Sequence, residues 1–158
     1  MEIVIRQYNE EDEKEFKQSI IDLQNFECAF DPDMLSGETT VDAWFNYILE
    51  ENKQKDGRIY IAEVDKKAVG FISLRVDAKG EEILLPSIKC IVITDFIINA
   101  DYRGKGVGKL LLAKADEYAK EKSIAYIKLS VFAANTNARE LYKKLGFEDY
   151  SVTMLKKI

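Results

Sequence analysis

The sequence predicts one α/β (α+β) domain: a mixed central sheet of about six or seven strands flanked by about four helices. Three observations carry this. The 158 residues suit a single core, since domains commonly run to about 100–200 residues. Short β-branched runs alternate with segments whose apolar residues recur at helical spacing. A β-branched run at 88–98, a glycine-rich turn that opens a helix, and another β-rich run at 124–131 make a crossover unit. Two strands joined in that way run parallel, with a right-handed connection.

The elements follow in order. Residues 2–7 alternate around Ile3 and Ile5 and predict a first strand. Asn9 is placed to cap a helix with Glu10, Glu11, Asp12 and Glu13 in its first turn, where the helix dipole favours negative charge. Phe16, Ile20 and Leu23 follow at helical spacing. Asp31-Pro32-Asp33 and Ser36-Gly37 mark a loop. A second helix is predicted from Thr39 or Thr40, with Trp44, Tyr47 and Ile48 on one face. Runs at 58–64 and 68–76 read as a hairpin joined by Asp65-Lys66-Lys67, and 77–86 as a polar connection. The 88–98 run is apolar on both faces, as a central strand is. Val107, Leu111, Ala115, Tyr118 and Ala119 define a third helix. Ala138, Leu141, Tyr142 and Leu145 define a fourth, capped by Asn135 or Thr136 and ended by Gly146. Residues 147–158 are expected to supply closing strand structure.

Composition narrows the chemistry. Lys+Arg 23 against Asp+Glu 28 gives a net charge of −5, which speaks against a nucleic-acid partner and is compatible with a cationic substrate. No apolar run approaches the ~20 residues of a membrane span, and the acidic N-terminus does not resemble a signal peptide. The expectation is a cytoplasmic protein with no membrane partner. Cys28 and Cys90 stand apart and read as reduced thiols. Histidine is absent, which removes imidazole bases, Ser-His and Cys-His pairs and the usual zinc sites. No metal is expected.

The sharpest feature is Arg103-Gly104-Lys105-Gly106-Val107-Gly108-Lys109 at a helix start. Three glycines let backbone pass close to a ligand, and the first-turn amides of a helix lack intrahelical acceptors. Together with the dipole they suit phosphate. A Walker A loop fails, because Gly104 to Gly108 is one residue short and Leu110 stands where Ser or Thr must hold magnesium. A dinucleotide fingerprint also fails, because Lys109 occupies its third glycine position.

This loop resembles the R/Q-x-x-G-x-G/A pyrophosphate loop of the GCN5-related N-acetyltransferase (GNAT) superfamily. Downstream, Asn135, Ala138, Leu141-Tyr142 and Leu145-Gly146-Phe147 are similar to that family's N-x-x-A-x-x-L-Y-x-x-L-G-F pattern. The resemblance covers about residues 91–147. It implies fourth and fifth strands that splay apart, with acetyl-CoA as acyl donor lying in the gap. It further implies that Phe96, Ile97 and Ile98 offer backbone groups to the pantetheine, and that amides from Arg103 to Lys109 take the pyrophosphate.

By the same resemblance, Asn135 contacts the pantetheine, a role compatible with simple helix capping. Tyr142 protonates the leaving thiolate, which suits a phenol of pKa near ~10, although its place in the sequence also fits a core aromatic. The base is less marked. Relatives often carry Glu just before the position of Asp95, where this chain has Thr94. Asp95 is the nearest carboxylate, with Glu63, Glu81 and Glu82 more remote. Residues 26–38, with Phe26, Phe30, Asp31 and Asp33, stand where the family walls its acceptor site. They read equally as a solvated acidic loop.

The implied reaction is acetyl transfer to a primary amine of a small molecule or a peptide N-terminus. A protein lysine or an aminoglycoside is the alternative acceptor, and a non-catalytic acyl-CoA sensor the alternative class. The sequence leaves a homodimer open.

Overall fold

A computed structural model describes residues 1–80, 84 and 86–158. Glu81 and Glu82, named above as remote base candidates, lie outside the described residues. Five strands form one sheet in the order β1 (Val4–Gln7), β2 (Arg58–Val64), β3 (Lys67–Ala78), β4 (Lys89–Ile98), β5 (Ile127–Lys128). The first four pair antiparallel and β5 joins β4 in parallel. Among the described residues four α-helices cover the sheet: α1 (Glu13–Glu27), α2 (Gly37–Gln54), α3 (Val107–Glu121) and α4 (Thr136–Lys144).

The core is split by the sheet into two layers. On one side Val107, Leu111, Ala115 and Tyr118 of α3 pack on Ala62, Ile72, Leu74, Ile91 and Ile93. On the other, Phe16 and Ile20 of α1 and Phe45 and Ile48 of α2 pack on Ile61, Phe71 and Ile97. Phe16 anchors this second layer, stacked on Phe71 at 4.7 Å and edge-on to Phe45 at 5.8 Å. Truncating so enclosed an aromatic costs about 3–5 kcal/mol.

The two helices on this side cross closely at Gly37. A Cβ there would sit 2.5 Å from the Ile21 Cα, so no other residue starts α2 without pushing α1 away. The Gly37 amide donates to Asn25 Oδ1 at 2.8 Å, which fixes the same junction.

Several expectations are corrected. Among the described residues the sheet has five strands, not six or seven. Residues 147–158 carry no strand, and 148–158 are exposed throughout, because no neighbouring edge pairs with them. The 124–131 strand shrinks to Ile127–Lys128 for the same reason. Asn9 caps a 3-10 turn, Glu10–Asp12, that precedes α1, its side chain accepting from the Glu11 amide at 2.9 Å. On α2 the core residues are Phe45 and Ile48, while Trp44 and Tyr47 stay partly exposed and face elsewhere.

Candidate active site

The sheet forks where the site lies. β4 and β5 pair only through Ile91↔Ile127 and Val92↔Lys128, and beyond that point they separate. This is the splayed arrangement expected of the fourth and fifth strands. Two residues past Val92, β4 carries a bulge: Leu74 pairs with Ile93 and Ser73 with Asp95, leaving Thr94 unopposed. A bulge resets the alternation of side chains. Ile91 and Ile93 face α3, yet Asp95, two residues on, faces α2.

Asp95 is therefore buried under α2. Its Oδ1 accepts from Trp44 Nε1 at 2.8 Å, and its Oδ2 is buried without a partner among the described residues. Burial pushes its carboxyl above the ordinary range, and the Trp44 N–H opposes that rise. Glu27, at the end of α1, is half-buried nearby. Its carboxyl is also pushed up, first by burial and then by the Asp95 charge. Tyr142 on α4 completes the group. Its phenol is pushed up to about 12, first by burial and then by Glu27. Its ring lies 6.2 Å from Phe96 and 5.7 Å from Phe147. Glu27 is the link between the other two: the Asp95 charge raises its pKa, and its own charge raises that of Tyr142.

The glycine loop leads from β4 into α3 through a 3-10 turn, Ala100–Tyr102. Gly104 and Gly106 have φ of +71° and +87°, a conformation glycine adopts without steric cost. A Cβ on either would meet nothing within 4 Å, so both open to the outside. Gly106 caps α3, and the Leu110 amide is the first to reach a helical acceptor, Gly106 O at 3.2 Å. The amides of Val107, Gly108 and Lys109 thus lack one within the helix. Gly108 lies against Phe96, whose Cζ a Cβ there would approach to 3.2 Å. Backbone donors, dipole and open approach fit a diphosphate.

The cations around the loop divide. Arg103 donates from Nε to Ile98 O at 3.0 Å and lies 5.8 Å from the Phe26 ring, so it braces the end of β4. Lys105 sits over the Tyr102 ring at 5.3 Å. Lys109 is exposed. Arg139 is tied to Asp149 at 3.1 Å and to Ala133 O. Asn135 caps α4, its Oδ1 accepting from the Ala138 amide at 3.2 Å, which leaves its amide nitrogen available.

Ile97 is buried on the α1/α2 side, while Ile98 and Phe96 pack toward α3. Phe26 and Phe30 meet edge-on at 5.2 Å, and Phe30 stacks on Phe132 at 5.7 Å, so the turn after α1 and the segment after β5 touch across the fork. Asp31 Oδ1 accepts from the Asp33 amide at 3.1 Å, a turn of the kind short acids form.

Residues 17–147 match the model of the acetyltransferase (GNAT) family. The chain belongs to the acetyltransferase (GNAT) family. An uncharacterised N-acetyltransferase of Methanocaldococcus jannaschii is 31% identical over 109 residues, 69% of this chain and 46% of that protein. An N-alpha-acetyltransferase of Sulfurisphaera tokodaii is 31% identical over 111 residues, 68% of this chain and 66% of that protein. The chain thus spans about half to two thirds of the length of these curated relatives. An N-acetyltransferase of Thermoplasma acidophilum, solved in complex with coenzyme A, shares the GNAT fold. Its TM-score is 0.75 at 21% identity, over 97% of this chain and 94% of that one.

Within this GNAT domain, sequence reasoning passed over a cavity of about 210 Å³ on the α2 side of the fork. Trp44, Tyr47, Arg75, Thr94, Lys128 and Ser130 are among its lining residues. Trp44 and Tyr47 stack at 5.0 Å as one wall. The signal was present as Trp44, Tyr47 and Glu51 at helical spacing, but nothing local says which strand they meet. Among the described residues no cluster of three or more His, Cys, Asp or Glu is arranged for a metal, and no helix is long and apolar enough to cross a membrane.

Proposed function

We propose that the chain transfers an acetyl group from acetyl-CoA to a primary amine of a small molecule or a peptide N-terminus. The observation that carries this reading is the open glycine cradle at the start of α3, set beside a forked sheet with Tyr142 packed on its α3 face and Asp95 held under α2. Acetyl-CoA supplies the activated acyl group. Amides of Gly104 to Lys109 would hold its diphosphate, and backbone groups of Phe96, Ile97 and Ile98, exposed by the loss of β5 pairing, would hold the pantetheine. The coenzyme A bound by the Thermoplasma acidophilum relative supports the same donor.

The acids divide the proton work. An alkyl amine arrives as an ammonium and must lose a proton before it attacks. Glu27, half-buried with a raised pKa, accepts that proton and passes it to solvent. Asp95, enclosed beneath Trp44, adds negative charge that attracts the ammonium and keeps Glu27 basic. As nitrogen bonds to the acyl carbon and the carbon–sulfur bond breaks, Tyr142 gives its phenolic proton to sulfur. It regains a proton from the nitrogen as the amide forms, so the phenol is restored. A phenol held near 12 stays protonated at neutral pH, as this role requires.

Thiol release from acetyl-CoA, measured across an amine panel, tests the proposal. Amine-dependent release supports it, and the absence of any amine-stimulated release argues for a binding protein instead.

A further inference from the structure

The fork cavity is asymmetric in charge. Behind the Trp44 wall stands Asp95, bonded to Trp44 Nε1 at 2.8 Å, and Glu27 is close enough to feel its charge. The cavity lining itself, between α2 and the first unpaired residues of β4 and β5, contains two cations, Arg75 and Lys128, and no Asp or Glu. Arg75 is partly engaged: Nη1 reaches Glu51 at 2.6 Å and Tyr47 Oη at 3.2 Å, and Nη2 reaches Asp77 at 3.2 Å. Its Nε–H is buried and has no acceptor among the described residues. Lys128 makes no ion pair among the described residues, whereas Lys55 and Arg75 do. The Ser130 hydroxyl and the Tyr47 phenol add two further donors. A buried guanidinium N–H without an acceptor is costly unless a ligand supplies one.

We infer that this cavity binds the carboxylate of the acceptor, so that the substrate class is an amine that also carries a carboxylate, as a free amino acid does. The inference rests on the acetyltransferase reading for what becomes of the amine. The ammonium end lies toward Glu27, with the enclosed Asp95 charge behind the Trp44 wall, and the carboxylate end meets Lys128 and Ser130, with the Arg75 guanidinium behind them. The Trp44–Tyr47 wall covers the carbon skeleton between them. A cavity of about 210 Å³ suits a small molecule rather than a folded partner. Both ends of such a substrate find opposite charge, whereas a simple alkyl amine leaves Lys128 unmatched.

The protein has one tryptophan, Trp44, and it lines the cavity, so its fluorescence reports occupancy without any need for turnover. The test titrates the protein with L-phenylalanine, L-leucine and L-lysine, each beside its carboxamide, in the presence of coenzyme A. Thiol release is followed in parallel with acetyl-CoA. The carboxamides carry the more easily deprotonated amine, so chemistry alone favours them. The expected result is binding of at least one amino acid about tenfold or more tighter than its carboxamide, as a charge-assisted contact provides. Lys128→Gln and Ser130→Ala should each shrink that ratio, Lys128→Gln to within about threefold. Equal binding of acids and amides, or a preference that survives both substitutions unchanged, overturns the inference. A carboxylate preference without thiol release upholds the cavity assignment while refuting the transferase reading, so the two failures are distinct.

Discussion

The Trp44 indole donates a 2.8 Å hydrogen bond to Asp95 and thereby ties the middle of α2 to the bulged centre of β4. That contact seats one acid beneath the cavity wall and sets its charge beside Glu27. Stability and chemistry meet there, and each can be tested separately.

Replacing Asp95 by Asn should stabilise the protein at alkaline pH, where the raised carboxyl ionises. The folded pKa of Asp95 is raised by burial, so its favourable contribution is complete below the unfolded value of about 3.9 and is lost as pH rises through the folded value. Above that folded value the fold carries an enclosed, half-satisfied carboxylate. Asn keeps the acceptor for Trp44 and removes the charge, for an expected gain of about 1–3 kcal/mol. Thermal unfolding at pH 8 and pH 3.5 checks this. The gain should shrink at the lower pH.

Asp12 should behave in the opposite sense. Arg6 grips it with two bonds of 2.7 and 2.8 Å, and the Asn9 amide donates to it at 2.9 Å. The Arg6 hydrogen bond holds its carboxyl below the ordinary range. This stability is present above the unfolded pKa and is lost as pH falls through the depressed folded value. Asp12→Ala should cost about 1–3 kcal/mol at pH 7, with a smaller penalty in strong acid, since Arg6 keeps only its ion pair with Glu63 and the cap loses its acceptor. Denaturant titration at the two pH values measures it.

Tyr142→Phe removes the hydroxyl that serves sulfur while preserving the ring contacts with Phe96 and Phe147. The expected loss in kcat is about 100-fold or more, with coenzyme A affinity little changed. Steady-state rates and calorimetry separate the two effects, and an unaltered kcat would exclude Tyr142 as the acid.

Glu27 governs the pH dependence of turnover. Burial and Asp95 raise its pKa, so kcat should fall with acid along a limb lying above the ordinary glutamate range. Glu27→Gln should lower kcat by about 100-fold and remove that limb. A pH–rate profile of both proteins decides the matter.

Much of this was legible locally. The Gly104–Gly106 turn, the Asn135 cap, the β2–β3 hairpin and the amphipathic α3 each announce themselves within a few residues, because caps, turns and helical periods are short-range effects. The closing strand was not. Residues 147–158 contain strand-forming residues, but a strand exists only where a neighbouring edge accepts it, and here none does. The direction of Asp95 was equally hidden. Alternation from Ile93 would turn it toward α3, and only the unopposed Thr94 reverses it. The cavity cations Arg75 and Lys128 lie 53 positions apart in sequence and come together only through pairing across β4.

The central claim is that the loop of Gly104, Gly106 and Gly108 holds a diphosphate. Calorimetric titration with coenzyme A and with pantetheine, which lacks the diphosphate, tests it most directly. The account predicts saturable binding of coenzyme A at least ~100-fold tighter than pantetheine, with the advantage largely erased in Gly106→Val. Equal affinity for the two, or no heat with coenzyme A, would contradict it.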